Sequence, residues 1–124
     1  MASTIAKTRY SDSELNEFKK LIEGKLVRAR DQLNYYLKQM SELADNSDAK
    51  VKSLEDGTGS AEREQLTQLA ARQRALITHL ENAMLRIRNK AYGICRITGK
   101  LISKERLRAV PHATLSIEAK SKIR

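Results

Sequence analysis

The sequence predicts an all-α-dominated fold: a long antiparallel helical hairpin of coiled-coil type, then a small lobe and a C-terminal helix. Three observations predict it. Two long segments repeat apolar residues at alternating spacings of 3 and 4, which lines one face of a helix. A single stretch of loop-forming residues separates them. Only 4% of the residues are aromatic, with no Trp and one Phe, too few large side chains for a thick globular core.

Residues 1–10 show no periodicity and are expected to form a flexible N-terminal tail. Ser11-Asp12-Ser13-Glu14 reads as a capping box, in which the Ser11 hydroxyl and the Glu14 carboxylate each satisfy the other's backbone N–H. The first seam then runs Leu15, Phe18, Ile22, Leu26, Ala29, Leu33, Tyr36, Met40, Leu43, with one slip near Leu26. This helix is expected to end near Asp45-Asn46. Residues 45–60 break the pattern, with Gly57 and Gly59 near their end and Val51 and Leu54 able to form a short helical turn.

Ser60 is a candidate cap for the second helix, whose seam is Leu66, Leu69, Gln73, Leu76, Leu80, Ala83, Ile87 and Lys90, widened by Ile77 and Met84. Tyr92-Gly93 marks its expected end. Two such helices of about 30 residues would each be ~45 Å long. Joined by one connection, they fit an intramolecular hairpin over residues 11–91 with its tip at 45–60. A homodimeric bundle built from the same stripes is the alternative. Residues 94–111 carry Gly99, Pro111 and scattered apolar side chains and read as a compact lobe, and residues 113–122 read as a terminal helix.

Charge separates the two parts. The net charge is +9, yet residues 1–85 hold 13 Lys/Arg against 13 Asp/Glu, while residues 86–124 hold 11 Lys/Arg against only Glu105 and Glu118. A basic lobe of this kind is either a footprint for nucleic acid or a surface that docks on acidic protein. No aromatic interleaving for base stacking accompanies it, which favours protein docking. Arg86, Arg88, Lys104, Arg106 and Arg108 are its candidate docking residues. The lone Cys95 excludes an intramolecular disulfide and fits a reducing compartment. No apolar run resembles a signal peptide or a membrane span, so a cytoplasmic protein is expected. No nucleophile–base set, phosphate-cradling Gly loop or metal cluster is present, so no catalysis is expected.

The segment from Tyr92 to Lys120 resembles the DksA/TraR family of transcription regulators. The family pattern is Tyr-Gly-x-Cys-x-x-Cys-Gly, then Arg-Leu-x-Ala-x-Pro, then Leu-Cys-x-x-Cys-Lys. Here Tyr92, Gly93, Cys95, Gly99, Arg106, Leu107, Ala109, Pro111, Leu115 and Lys120 match it. The resemblance implies a hairpin preceding a zinc-finger-like lobe over residues 92–124. It also implies a regulator of initiation that enters bacterial RNA polymerase through the secondary channel. The family's four zinc positions fall on Cys95, Thr98, Ser116 and Ala119, which cannot supply four thiolate or imidazole ligands. A degenerate lobe without zinc is therefore expected. It would be held by packing of these small residues with Leu101, Ile102, Leu107, Leu115 and Ile117, with Cys95 a buried, unreactive thiol.

In the family, acidic residues at the tip, in the pattern Asp-x-x-Asp-x-Ala, act beside the polymerase active site. Asp45-Asn-Ser-Asp48-Ala49 is one residue too short, and counting back from Cys95 lands on Glu55 and Gly57. Asp45, Asp48, Glu55 and Asp56 either replace that motif or are ordinary solvated acids. The family also binds the alarmone ppGpp. The resemblance places its contacts at Arg72, His79, Val110 and Lys120, where only Arg72 and Lys120 keep a permanent cation, so weak binding or none is expected. His79 is expected to be solvated and His112 to support a turn. A monomer without direct DNA binding completes the expectation, and a nucleic-acid-binding module using the basic lobe is the rival.

Overall fold

The computed structural model describes residues 8–45 and 58–123. Four helices are described: α1, Asp12–Asp45; α2, Thr58–Arg88; α3, Lys104–Ala109; and α4, Ile117–Ile123. Among the described residues there is no strand, only an isolated antiparallel bridge between Ile94 and Leu101. The fold is all-α with a long helical hairpin. No helix among the described residues is long and apolar enough to cross a membrane.

α1 starts where the capping box demands. The Ser11 N–H donates to the Glu14 carboxylate at 3.0 Å, and the Glu14 N–H donates to the Ser11 hydroxyl at 3.1 Å. Tyr10 and Leu15 stand at the two positions of a hydrophobic staple around this box, and both are buried. Tyr10 therefore corrects the expectation of a loose tail through residue 10: its ring is covered and its hydroxyl donates to the Ile102 carbonyl.

α2 begins at Thr58, two residues before the expected cap at Ser60, and ends at Arg88 rather than at Tyr92. Its end is a Schellman turn. The Ala91 N–H donates to the Arg86 carbonyl at 2.8 Å and the Lys90 N–H to the Ile87 carbonyl at 3.0 Å. Lys90, not a glycine, takes the left-handed position, with φ 61°, so it is a turn residue and not the last seam position. Gly93 also has positive φ, 80°, but serves the lobe.

The chain forms two compact units. One, residues 26–78, consists of stretches of α1 and α2, with Leu26, Ala29 and Ala70 buried. Leu33, Tyr36, Leu66, Leu69 and Leu76 are half-buried there. Ala70 lay outside the expected seam; its methyl is small enough for close helix approach. The expected turn at Val51 and Leu54 lies outside the described residues.

The other unit comprises residues up to 25 and from 79 onward. Three of the chain's five aromatic side chains form its centre. The Phe18 ring lies 5.7 Å from Tyr10 and 5.3 Å from Tyr92. The fully buried Tyr92 donates its hydroxyl to the Pro111 carbonyl at 2.7 Å. Leu15, Ile22, Leu80, Ala83, Ile102 and Leu107 complete this core. Two ion pairs tie the start of α1 to the lobe, Asp12 to Lys90 at 3.0 Å and Glu14 to Lys104 at 2.6 Å.

Candidate functional site

The lobe opens with a knuckle. The Cys95 N–H donates to the Lys100 carbonyl at 2.8 Å and the Ile102 N–H to the Gly93 carbonyl at 2.7 Å. Gly99, with φ 73°, turns the chain between them. Ser103 then caps α3, accepting the Arg106 N–H at 3.3 Å. The terminal helix is shorter than the expected 113–122, because Ser116 starts it by accepting the Ala119 N–H at 3.1 Å and Thr114 instead accepts the Arg96 N–H at 3.0 Å.

The structure brings Cys95, Thr98, Ser116 and Ala119 together. The Cys95 sulfur is 1% exposed by residue. It accepts the Thr98 N–H at 3.5 Å and the Ser116 N–H at 3.4 Å, so one atom joins the knuckle to the head of α4. Burial pushes the thiol up, but hydrogen bonds from the Thr98 hydroxyl and from the backbone of Ser116, Thr98 and Ile97 outweigh it and hold it near 6 (lowered to about 6). The Thr98 hydroxyl also accepts the Lys100 N–H at 3.2 Å. One thiol, two hydroxyls already engaged with backbone and one methyl do not fit a tetrahedral zinc ion. Among the described residues no group of three or more His, Cys, Asp or Glu could hold a metal. The lobe's packing differs from expectation at one place: Ile117 is 63% exposed, because α4 turns its first residue outward while Ala119 faces in.

Beside the knuckle lies a cleft of about 420 Å³, lined by α2 (His79, Asn82, Arg86), α3 (Arg106) and α4 (Lys120) together with Val110 and residues 112–115. Two guanidiniums build its walls. Arg86 donates to the His112 carbonyl at 3.3 Å and Arg106 to the Leu115 carbonyl at 2.7 Å. Burial pushes the Arg86 guanidinium down and Tyr92 pushes it up, but an arginine stays charged throughout. The His79 and His112 rings stack, centroids 5.4 Å apart and planes 10° apart. Burial, then His79, then Arg86 lower the His112 pKa, and its Nδ1 is buried without a hydrogen-bond partner.

The candidate docking cations do not form one free surface. Arg86 and Arg106 are half-buried and hold backbone, and Lys104 is paired with Glu14, while Arg88 and Arg108 are exposed. Of the four positions the resemblance gave to an alarmone, His79, Val110 and Lys120 line the cleft; Arg72 belongs to the other unit. Asp48, Glu55 and Asp56 lie outside the described residues, and Asp45 is the last residue of α1. Sequence reasoning missed the imidazole stack and the anchoring role of Arg86. Neither had a local signal, since His79 and His112 are separated by 33 positions in the chain.

A family model described as the prokaryotic dksA/traR C4-type zinc finger matches residues 90–124. The RNA polymerase-binding transcription factor DksA of Caulobacter vibrioides, in two strains, is 32% identical over 118 residues, covering 90% of this chain and 77% of that protein. The chain belongs to the DksA/TraR family. Among solved structures, transcription factor DksA2 from Pseudomonas aeruginosa matches with a TM-score of 0.80 at 26% identity, over 90% of this chain and 83% of that one. General stress protein 16O of Bacillus subtilis is 36% identical over 50 residues, 40% of this chain and 31% of that protein. As a DksA/TraR member the chain is a transcription regulator, yet it keeps one of the four cysteines that the C4 description names.

Proposed function

We propose that this protein binds bacterial RNA polymerase and modulates initiation by passing its hairpin into the secondary channel, without catalysis of its own. The observation that carries this reading is the match over 90% of the chain to a polymerase-binding factor. In this reading the lobe docks at the channel rim through Arg88, Arg108 and neighbouring cations, and the acids between α1 and α2 act inside. The protein works in the cytoplasm as a monomer.

The lobe works without zinc. The donor set supports this: Cys95 spends its sulfur on backbone N–H groups, where a zinc-bound thiolate would face three further ligands. The alarmone ppGpp binds weakly or not at all, because His79 and Val110 stand where converging permanent cations would be needed.

Pull-down on purified core polymerase tests the reading. The full chain is expected to be retained and to alter open-complex lifetime. A version lacking residues 46–57 should still be retained but lose the transcriptional effect. Failure of the full chain to bind core enzyme, with steeply salt-dependent binding to DNA instead, would refute it.

A further inference from the structure

Cys95 does more than close the knuckle: its sulfur also fixes which side chains are left outside. The Thr98 and Ser116 N–H groups both donate to it, and the Arg96 N–H donates to the Thr114 carbonyl at 3.0 Å. The knuckle and the head of α4 are thereby held side by side. Ile97 immediately precedes one of the donors and Ile117 immediately follows the other. Ile97 is 57% exposed and Ile117 63%. Successive helical positions turn by about 100°, so with Ala119 packed inward, Ile117 two positions earlier faces away from the core. A single exposed isoleucine is ordinary on a protein surface. Here two are carried by adjoining segments clamped to one atom.

The surroundings of these two side chains are basic. Arg96 and Lys100 flank Ile97 in the knuckle, and both are exposed. Ile117 borders a shallow pocket of about 220 Å³ whose other lining residues are Arg106, Lys120 and Ser121. From residue 89 onward the only carboxylate side chains are Glu105 and Glu118, and Glu118 is paired with Lys122 at 3.4 Å. Protein interfaces place apolar side chains at the centre and charges at the rim. Complementary charge steers and orients the partner, whereas burial of aliphatic side chains supplies affinity. Isoleucines set in a basic rim therefore suit a partner with an apolar centre and an acidic rim.

We propose that Ile97 and Ile117 are the apolar anchors of a docking face on the knuckle, and that its partner is an acidic polypeptide segment of RNA polymerase bearing an aliphatic or aromatic side chain. This rests on the reading of the chain as a polymerase-binding regulator, and it adds an apolar contact to the charged ones of Arg88 and Arg108. The isoleucines hold the partner through burial, and Arg96 and Lys100 orient it through charge. The two contributions differ in kind. Attraction between exposed charges weakens as salt rises, whereas burial of apolar surface does not. The sulfur clamp fixes the backbone of both anchors before binding, which lowers the cost of ordering them.

Binding of the full chain to immobilised core polymerase, followed by biolayer interferometry at about 0.1 M and about 0.5 M salt, tests this. The double change Ile97→Ser, Ile117→Ser should weaken binding about tenfold or more at both salt concentrations. The change Ile97→Leu, Ile117→Leu keeps the apolar surface and should bind like the natural chain. Arg96→Glu, Lys100→Glu should weaken binding strongly at the lower salt and little at the higher. All four side chains are exposed, so the variants leave the core of the lobe intact. Amide-exchange protection of the Cys95 N–H, bonded to the Lys100 carbonyl at 2.8 Å, reports that the knuckle stays closed. Serine variants that bind as tightly as the natural chain overturn the proposal and leave the polymerase reading standing. So do equal losses from the serine and leucine variants, or a glutamate variant that binds as tightly as the natural chain at the lower salt. A natural chain that does not bind core polymerase overturns both.

Discussion

Gly93 is where the Tyr10 ring meets the lobe, and Gly93→Ala is the sharpest perturbation of that junction. A Cβ at this position would stand 2.6 and 2.7 Å from two ring carbons of Tyr10 and 3.2 Å from a methyl of Leu107. The backbone there has φ 80°. Two costs add. Holding an alanine in the left-handed region costs about 1–2 kcal/mol, and overpacking against the Tyr10 ring costs about 1–3 kcal/mol. Together they give about 2–5 kcal/mol, a large share of a small domain's stability. A double-mutant cycle with Tyr10→Ala separates them. With the ring removed, the same Gly93→Ala change should cost only the backbone part, about 1–2 kcal/mol. Native-state amide exchange at the Ile102 N–H, which donates to the Gly93 carbonyl at 2.7 Å, reports the lobe directly. An equal cost of Gly93→Ala in both backgrounds would refute the contact between Tyr10 and Gly93. A cost below about 0.5 kcal/mol would refute the left-handed requirement as well.

Other expectations follow from the same geometry. Native mass spectrometry should find the chain without zinc and chelator should leave its melting temperature unchanged, whereas the triple change Thr98→Cys, Ser116→Cys and Ala119→Cys should create a site for one zinc ion and raise that temperature; a zinc-loaded natural chain would sink the packing argument. In an Asp12→Asn background, which already removes the Lys90 ion pair, Lys90→Gly should stabilise by about 1 kcal/mol, by relieving the left-handed strain at the end of α2, with urea unfolding as the check and destabilisation as the contrary result. Stability should fall on acidification: the folded state lowers the His112 pKa, so the unfolded chain takes the proton first, and stability held above about 6.5 is lost as pH drops towards the folded value. Cys95 acts in a higher window. Its folded pKa of about 6 lies below the reference 9.0, so stability should rise with pH across that interval, and Cys95→Ala should flatten the rise in pH-dependent unfolding. Neutralising Asp45, Asp48, Glu55 and Asp56 together should abolish the effect on initiation while leaving polymerase retention intact; unchanged transcription would make them ordinary solvated acids.

What the sequence made legible was local. The capping box needed only Ser11 and Glu14, three positions apart, and its hydrogen bonds formed as the spacing requires. The seam from Leu15 to Ala29 needed only helical periodicity, and those residues are the buried ones of α1. The four degenerate positions were legible because a resemblance supplied the spacing; the Thr98 and Ser116 N–H groups both donate to the Cys95 sulfur, and the Ala119 N–H donates to the Ser116 hydroxyl. Tyr10 was half legible: a hydrophobic residue before a capping box is a staple signal, but nothing local says that its hydroxyl reaches Ile102, 92 positions away.

The cleft was the least legible feature, and the reason is chemical as well as topological. A count of charges treats every lysine and arginine of the lobe as one surface, yet the same residue types do two kinds of work. Arg86 and Arg106 satisfy the carbonyls of His112 and Leu115, groups that would otherwise face a half-buried cavity without a donor. Long side chains with forked donors are suited to that task, because they reach across from one helix to a neighbouring loop and keep donors to spare. Their charge is then fixed inside the lobe whether or not a partner is present. Burial, then His79, then Arg86 hold the His112 pKa down in that field. Replacing Arg86 by Met tests this division of labour: it keeps the apolar stem but frees the His112 carbonyl, and should cost about 1–3 kcal/mol in lobe stability. Replacing Arg88 by Met, on the exposed side of the same helix, should cost under about 0.5 kcal/mol while weakening attachment to polymerase. Equal stability losses from the two changes would mean that the lobe's cations are interchangeable after all, and that burial has not sorted them into anchors and contacts.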